Sequence, residues 1–306
     1  MDQAYLDSII KEYKRYTIEG QVADYIPELK KMNRGDLGIS IYDGEKVFSS
    51  GNWNTKFTIQ SVSKPLVLML ALIDQGEEKI FELVGKEPTG DPFNSMLRLE
   101  TYTFKKPLNP MINAGAVTIS SLIKGKDNEE KVDRILKFIR LLADNEDIHV
   151  NEDVFISEKE TGNRNRSLGY FLKDIRSIEG DVEEVLDLYF MQCSIEITTL
   201  DIAKIGSIIA NDGFNKKTGE QLIPRKYAKI AKTFMLTCGM YDESGQFAID
   251  VGIPSKSGVG GGIMSSSPNK YGIGVYGPAL NQKGNSVAGM RMLERISKDF
   301  DMSIFL

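Results

Sequence analysis

Residues 57–76, FTIQSVSKPLVLMLALIDQG, place a serine three positions before a lysine at the head of an apolar run. Side chains three apart face the same way on a helix, so the Lys64 amine can reach the Ser61 hydroxyl. Pro65 is tolerated, because the first turn of a helix does not use the N–H that proline lacks. The competing interpretation is that Ser61 only caps the helix and that Lys64 extends its amine into solvent.

The same spacing occurs three more times in the chain, so the bare pattern discriminates little: Ser8/Lys11, Ser121/Lys124 and Ser267/Lys270. Two of these pairs lie on helical segments that look exposed, and the third has a proline in a predicted loop. Only Ser61 begins a helix that is apolar nearly all round, which predicts burial. Burial would lower the Lys64 pKa, as a general base requires, and the helix N-terminus would favour a developing negative charge.

The totals describe a chain of 306 residues with a net charge of −5, which argues against nucleic acid or an anionic membrane as the main partner. No apolar run approaches the ~18 residues of a membrane span. The first residues, MDQAYLDSIIKEYKRY, lack an apolar signal core, which predicts a cytoplasmic protein. Cys193 and Cys238 stand in apolar surroundings and are predicted to be buried free thiols.

A single histidine, His149, stands in the acidic stretch DNEDIHVNED. One histidine excludes a multi-histidine metal site, and a Ser-His-Asp hydrolase would need this residue at its centre. The charged neighbours of His149 instead predict a surface position. If the protein carries out acyl chemistry, its proton carrier is therefore expected to be a lysine or a tyrosine.

The order of predicted elements indicates an α/β fold of the α+β type. Residues 36–51 alternate around Asp43-Gly44, which predicts a β-hairpin. Three strands are predicted late in the chain, in QFAIDVGIP, KSGVGGGIMSSSP and KYGIGVYGP, and residues 77–112 are predicted to be irregular. Helices are predicted within 129–145, 181–193, 199–213, 224–240 and 285–300.

Strands near both chain ends predict one mainly antiparallel sheet with an all-helical lobe inserted between its two halves. We expect a single domain, residues 1–306. Its sheet lobe would comprise about 1–76 and 224–306, and its helical lobe about 77–223.

A second motif, Lys256-Ser257-Gly258, precedes Val259 and three glycines. Glycines beside a strand let a backbone approach a ligand closely, although a plain β-turn would explain the same letters. Serine-x-x-lysine at the start of a helix, combined with K-S-G on a later strand, is the pattern of serine β-lactamases and penicillin-binding proteins.

Eight blocks carry a closer resemblance: GQVADYIPEL (20–29), QSVSKPL (60–66), VGKEP (84–88), NPMINAGA (109–116), SEKETGNRN (157–165), LYFMQCSIE (188–196), CGMYDESGQFA (238–248) and KSGVGGGI (256–263). In these blocks and their order the chain resembles the catalytic domain of the serine-dependent glutaminases. The resemblance implies a β-lactamase/DD-peptidase-like fold, L-glutamine as substrate and L-glutamate as product. It also implies a homodimer or homotetramer, with no metal or organic cofactor.

The resemblance assigns a role to each matching residue. Ser61 matches the nucleophile, Lys64 its activating base and Tyr241 the tyrosine that relays the proton. The backbone N–H groups of Ser61 and Val259 match the oxyanion hole. The residues expected to bind substrate, besides Ser61, Tyr241 and Val259, are Tyr25, Asn113, Glu158, Asn165 and Tyr189.

The chemistry of free glutamine asks for the same residue types. Its ammonium group needs an anion, which Glu158 can supply, and its carboxylate needs donors such as Asn165 and Tyr189. Without the resemblance, Glu158 and Asn165 would be interpreted as part of a solvated loop. By the same residue-only interpretation, Asn113 would be a helix cap, and Tyr25 and Tyr189 would be tyrosines at the edge of the core.

Two other functions use the same motifs. One is a β-lactam or peptidoglycan acyl hydrolase, which the lack of an export signal disfavours because those substrates lie outside the cytoplasm. The other is a ligand sensor whose serine acylates slowly or not at all. The joint presence of Lys64, Tyr241 and the oxyanion-hole elements disfavours the sensor.

Overall fold

The computed structural model describes residues 1–90 and 106–306. Its strands are β1 (Gly38–Tyr42), β2 (Val47–Gly51), β3 (Phe57–Thr58), β4 (Glu196–Ile197), β5 (Phe214–Asn215), β6 (Glu220–Gln221), β7 (Ser255–Ser257), β8 (Gly262–Ser267) and β9 (Tyr271–Tyr276). Its helices are α1 (Gln3–Tyr13), α2 (Ser63–Leu83), α3 (Asn113–Ser121), α4 (Asn128–Ala143), α5 (Glu152–Thr161), α6 (Asn163–Asp174), α7 (Val182–Cys193), α8 (Thr199–Ala210), α9 (Arg225–Cys238), α10 (Ser244–Asp250) and α11 (Val287–Asp299).

Both halves of the chain build the main sheet, as the sequence predicts. Five antiparallel strands lie in the order β2-β1-β9-β8-β7, so the N-terminal hairpin pairs with the last strand. The predicted hairpin turn is present, and the Asp43 carboxylate accepts hydrogen bonds from the N–H groups of Glu45 and Lys46. On one face of the sheet, Ile39, Ile273 and their neighbours pack against α1 and α11.

On the other face, α8 lies directly on the sheet because glycines remove the side chains between them. A Cβ on Gly274 would lie 2.0 Å from the Thr199 carbonyl oxygen, and one on Gly272 would lie 2.0 Å from the Ala203 oxygen. The Ser40 and Thr199 hydroxyls, 2.7 Å apart, join β1 to the first turn of the same helix. This contact of backbone on backbone fixes the distance between α8 and the sheet.

The predicted buried helix is α2, whose apolar residues form the centre of the largest core together with residues of α3, α4 and α9. It begins at Ser63, and Ser61 belongs to the preceding 3-10 turn, Gln60–Val62. The helix continues to Leu83 across a break at Gly76, where φ is +78°. The division into two lobes stays a prediction.

One predicted strand is wrong. QFAIDVGIP contains most of α10 instead, which runs from Ser244 to Asp250. Large apolar residues recur at every second position from Phe247 to Ile253, but Phe247 and Val251, four residues apart, are buried, whereas Ile249 between them is 81% exposed. This burial spacing is that of a helix. KSGVGGGIMSSSP forms two strands, β7 and β8, rather than one.

The five helices predicted by periodicity are present as α4, α7, α8, α9 and α11. The stretch 77–112, predicted to be irregular, contains the end of α2, while 91–105 lie outside the described residues. His149 is exposed and both cysteines are free, although Cys238 is only partly buried. Within the described ranges, no helix has both the length and the apolar character to cross a bilayer.

The contact between α8 and β9 predicts that Gly274→Ala destabilises the protein. The new methyl group would overlap the Thr199 carbonyl oxygen, and overpacking of this kind costs about 1–3 kcal/mol or more. Thermal unfolding of the variant should show a lower midpoint. Gly245→Ala in α10 is the matched control, because a Cβ there meets nothing within 4 Å. An unchanged midpoint for Gly274→Ala would show that the helix can move away from the sheet at no cost.

Candidate active site

The turn between β3 and α2 presents Ser61 to a cavity and turns Ser63 away from it. Gln60 holds the turn in a left-handed conformation, with φ +48°. The Ser63 hydroxyl donates to the Gln60 carbonyl oxygen at 2.7 Å and accepts from the Gln192 side chain at 2.9 Å, inside the protein. Ser61 is largely buried, yet it lines the cavity.

The cavity has a volume of about 360 Å³. Seven of the residues predicted to bind substrate line it, although they come from distant parts of the chain: Tyr25, Ser61, Asn113, Glu158, Asn165, Tyr189 and Val259. The other two predicted residues, Lys64 and Tyr241, are buried beside them.

Lys64 lies inside the protein with its amine held by two oxygens. The side chain is 2% exposed, and Nζ donates to the Met111 carbonyl oxygen at 3.0 Å and to Asn113 Oδ1 at 2.8 Å. The Met111 carbonyl is positioned by Asn109, whose Oδ1 accepts from the N–H groups of Met111 and Ile112. Burial lowers the pKa of Lys64 to about 8, because the ammonium form loses its hydration.

Asn113 connects this amine to the substrate cavity. Its Oδ1 accepts from Lys64 and, at 3.4 Å, from the Tyr189 hydroxyl. Its Nδ2 donates to Asn165 Oδ1 at 3.1 Å. Asn113 is the first residue of α3, follows the N-cap Ile112 and makes no capping hydrogen bond; it is instead the centre of a polar network, so the helix-cap interpretation is wrong.

Glu158 provides the negative charge of the cavity. It lies on α5, is 4% exposed, and accepts a hydrogen bond of 2.6 Å from the Tyr25 hydroxyl. The same hydroxyl lies 3.3 Å from the Gln60 side-chain oxygen, although half of the Tyr25 surface is exposed. Burial raises the pKa of Glu158, and the hydrogen bonds from Tyr25 and Gln60 oppose that rise.

Tyr241 lies next to Ser61 in a turn that precedes α10. Its hydroxyl is buried, which raises the pKa of Tyr241, and the neighbouring Ser61 side chain and Val259 backbone oppose that rise. The K-S-G backbone passes close to the serine turn, since a Cβ on Gly258 would lie 3.3 Å from the Ser61 nitrogen. Gly258 therefore allows the K-S-G backbone to approach the serine turn closely, as the sequence predicts.

A second buried lysine supports the tyrosine. Lys256 Nζ lies 4.5 Å from the centre of the Tyr241 ring and donates to the carbonyl oxygens of Gly239, at 3.0 Å, and Ser257, at 2.6 Å. Burial, together with repulsion from Lys64, places the pKa of Lys256 well below its usual value. One side chain therefore ties the segment before Tyr241 to the strand before Val259.

Five lining residues were not predicted from the sequence: Gln60, Thr161, Gly162, Arg164 and Cys193. Cys193 had a usable signal, because it follows Tyr189 by four positions and shares its face of α7. Burial raises the pKa of its thiol to about 12, so the thiol stays protonated at neutral pH. Gln60 directly precedes Ser61, and Thr161, Gly162 and Arg164 lie between Glu158 and Asn165 in the chain. Their closeness in sequence to predicted site residues was the available signal for all four.

The arrangement suits acyl transfer. The Ser61 hydroxyl lines a cavity whose polar groups match an amino acid, Tyr241 is buried beside it, and the low-pKa amine of Lys64 bonds to Asn113 of the same cavity. The antiparallel sheet, together with a serine turn at the head of a buried helix, places the molecule in the β-lactamase-like class of folds.

Comparison with known proteins narrows this class to one family. The sequence profile named Glutaminase matches residues 20–305. Glutaminases of Clostridioides difficile (strain 630) and Clostridium tetani (strain Massachusetts / E88) are each 57% identical, cover 100% of this chain, and are themselves covered over 99% and 100% of their length. The chain belongs to the glutaminase family, which makes it an amidohydrolase.

Solved structures agree with the sequence relatives. A probable glutaminase from Bacillus subtilis complexed with 6-diazo-5-oxo-L-norleucine superposes with a TM-score of 0.92 at 40% identity. The match covers 100% of this chain and 97% of that one. The family and fold predicted from the sequence are therefore confirmed.

The surroundings of Lys64 predict an amine that titrates near pH 8. Because burial disfavours the ammonium, Lys64 should be protonated below about pH 8 and neutral above it. Lysine labelled with ¹³C at Cε would show one resonance with this midpoint by NMR, against ~10.4 for exposed lysines. Lys64→Met assigns the resonance by removing it. A midpoint near 10 would show that the two oxygen partners fully compensate for burial.

Proposed function

We propose that this glutaminase hydrolyses the side-chain amide of L-glutamine to L-glutamate and ammonia through an acyl-enzyme on Ser61. The observation that carries the proposal is the position of Ser61, which lines the same cavity as Glu158 and lies beside Tyr241. The relatives named above are glutaminases, and one of them is complexed with 6-diazo-5-oxo-L-norleucine, an amino acid with an electrophilic carbonyl in its side chain.

The two charged groups of the substrate have matching partners in the cavity. The ammonium group binds to the Glu158 carboxylate, which Tyr25 orients. The α-carboxylate accepts a hydrogen bond from the Asn165 amide, which Asn113 orients, and one from the Tyr189 hydroxyl, which turns to the substrate from its 3.4 Å contact with Asn113. This arrangement directs the side-chain carboxamide towards Ser61, since the charged end occupies the far part of the cavity.

Lys64 acts as the base in acylation. Its neutral amine donates its two N–H groups to Met111 and Asn113, and its nitrogen takes the Ser61 proton. The serine oxygen attacks the amide carbon, and the oxyanion is stabilised by the N–H groups of Ser61 and Val259. Loss of such a donor typically costs ~10²–10³ in rate.

Tyr241 completes the proton path. As the C–N bond breaks, its hydroxyl passes a proton to the leaving nitrogen, which departs as ammonia, and Lys64 returns its proton to the tyrosine. Water, activated by the same pair, then attacks the ester, and release of glutamate restores the Ser61 hydroxyl. Lys64 and Tyr241 titrate as a coupled pair, so their apparent pKa values belong to the pair and not to either residue.

The proposal also covers the cellular location of the protein and its oligomeric state. We propose a cytoplasmic protein, since two free thiols suit a reducing compartment. The homodimer or homotetramer implied by the family resemblance stays a prediction, which light scattering against the chain mass of 34.2 kDa would check.

Ser61→Ala should abolish release of ammonia from glutamine and prevent covalent labelling by 6-diazo-5-oxo-L-norleucine. The attacking oxygen is then absent, whereas the fold loses only one hydroxyl. Mass spectrometry of the labelled peptide 57–76 measures the adduct. Ser63→Ala is the matched control and should still label, because the Ser63 hydroxyl points into the interior. Undiminished turnover in Ser61→Ala would disprove the serine mechanism.

Glu158→Gln should raise KM for glutamine about 10- to 100-fold, with a smaller change in kcat. The amide replaces a charge-assisted hydrogen bond worth ~1.5–3 kcal/mol, and ~1.4 kcal/mol corresponds to a factor of ten. Steady-state kinetics with ammonia detection provide the measurement. The exposed Glu160→Gln on the same helix is the control. Equal KM values in the two variants would place the substrate ammonium elsewhere.

A further inference from the structure

The turn that carries Tyr241 holds an unfavourable backbone conformation. Tyr241 has φ +54°, in the left-handed region that side chains other than glycine rarely adopt, at a cost of about 1–3 kcal/mol. The Ser244 hydroxyl bonds to both sides of the turn, accepting from the Met240 N–H at 3.0 Å and donating to the Tyr241 carbonyl oxygen at 2.9 Å. Such a conformation persists only if the surroundings specify it.

Glu243, two residues after the tyrosine, ties this turn to the segment 281–286. One oxygen of its carboxylate, Oε2, accepts from Asn281 Nδ2 at 2.7 Å and from Asn285 Nδ2 at 2.6 Å. The same Asn285 nitrogen donates to the Met240 carbonyl oxygen at 3.2 Å, and Asn285 is fully buried. Two amides from one segment therefore hold both ends of the Tyr241 turn.

The segment 281–286 is itself ordered and contacts the reacting groups. Asn281 Oδ1 accepts from the N–H groups of Lys283 and Asn285, at 3.0 and 3.1 Å. Gly284, with φ +90°, brings the chain so close that a Cβ there would lie 3.3 Å from Val259 Cγ1 and 3.4 Å from Tyr241 Cε2. A shift of this segment would therefore move the tyrosine and the oxyanion-hole valine together.

We propose that Glu243 is a positioning residue for the reaction, which holds the Tyr241 hydroxyl against Ser61 through Asn281 and Asn285. The proposal rests on the role given to Tyr241 above. Without the carboxylate, the turn can relax to a conformation with negative φ, which withdraws the hydroxyl from Ser61. Substrate affinity should change little, because the residues that bind the amino acid, Glu158 and Asn165, lie on α5 and α6.

The first test removes the carboxylate. Glu243→Ala should lower kcat by roughly 10- to 100-fold, as displacement of a reacting group by about 1 Å does, and should leave KM within about twofold. Glu243→Gln keeps an oxygen that can accept both amide bonds, so most of kcat should return. Asp250→Ala is the matched control, since that exposed carboxylate accepts from Gln246 and leaves the turn untouched. A wild-type kcat in Glu243→Ala overturns the proposal.

The second test exchanges the partners and does not depend on the alanine variant folding. Asn281→Asp places two carboxylates together and should lower kcat, although its oxygen can still accept the backbone N–H groups. Adding Glu243→Gln to Asn281→Asp should recover kcat, because the introduced glutamine amide can donate to the introduced aspartate. Failure of the double variant to exceed Asn281→Asp alone overturns the pairing.

Tyr241→Phe separates the two proposals. If it retains the wild-type kcat, the role of Tyr241 fails, and the positioning role of Glu243 fails with it. If it loses kcat while the Glu243 variants do not, only the positioning role fails. Melting temperatures are measured for every variant, and a lowered midpoint with full kcat per folded molecule would show a merely structural role for Glu243.

Discussion

The molecule depends on burying one amine, that of Lys64, three residues after Ser61, which lines the cavity. An ammonium group taken out of water is costly, and the protein meets this cost by lowering the Lys64 pKa to about 8 while carbonyl oxygens accept its N–H groups. The burial requires α2 to run through the largest apolar core. It also requires Asn109 and Asn113 to set the two acceptors, so core packing and site chemistry share one constraint.

Tyr241 and Val259 are brought to the serine turn by close contacts between backbones. The sheet joins both halves of the chain, and the K-S-G strand leads past the serine turn, where Gly258 has no side chain to hold the segments apart. A second buried lysine, Lys256, bridges the two segments that carry Tyr241 and Val259. The segment that carries Tyr241 lies between α9 and α10, and the segment that carries Val259 lies between β7 and β8. Both segments are short, and regular elements hold them on either side.

The charges of the site fit a zwitterion that carries a neutral amide. Glu158 supplies the anion of the cavity, whereas burial lowers the pKa values of Lys64 and Lys256, and repulsion from Lys64 lowers that of Lys256 further. A neutral carboxamide can therefore approach the serine without meeting two ammonium groups. The tyrosine turn has an unfavourable backbone conformation. Hydrogen bonds from Ser244 and Asn285 hold it, as do those that the Glu243 carboxylate accepts from Asn281 and Asn285.

The sequence by itself determined the elements whose signals are local: the Asp43-Gly44 hairpin and the helices with long apolar periods. The resemblance then named the residues that the structure brings around one cavity. Only the tertiary structure distinguished α10 from a strand, because in seven residues alternation and helical spacing differ too little. It alone revealed Glu243 against Asn281 and Asn285, since contacts between distant segments depend on packing and leave no period in the chain.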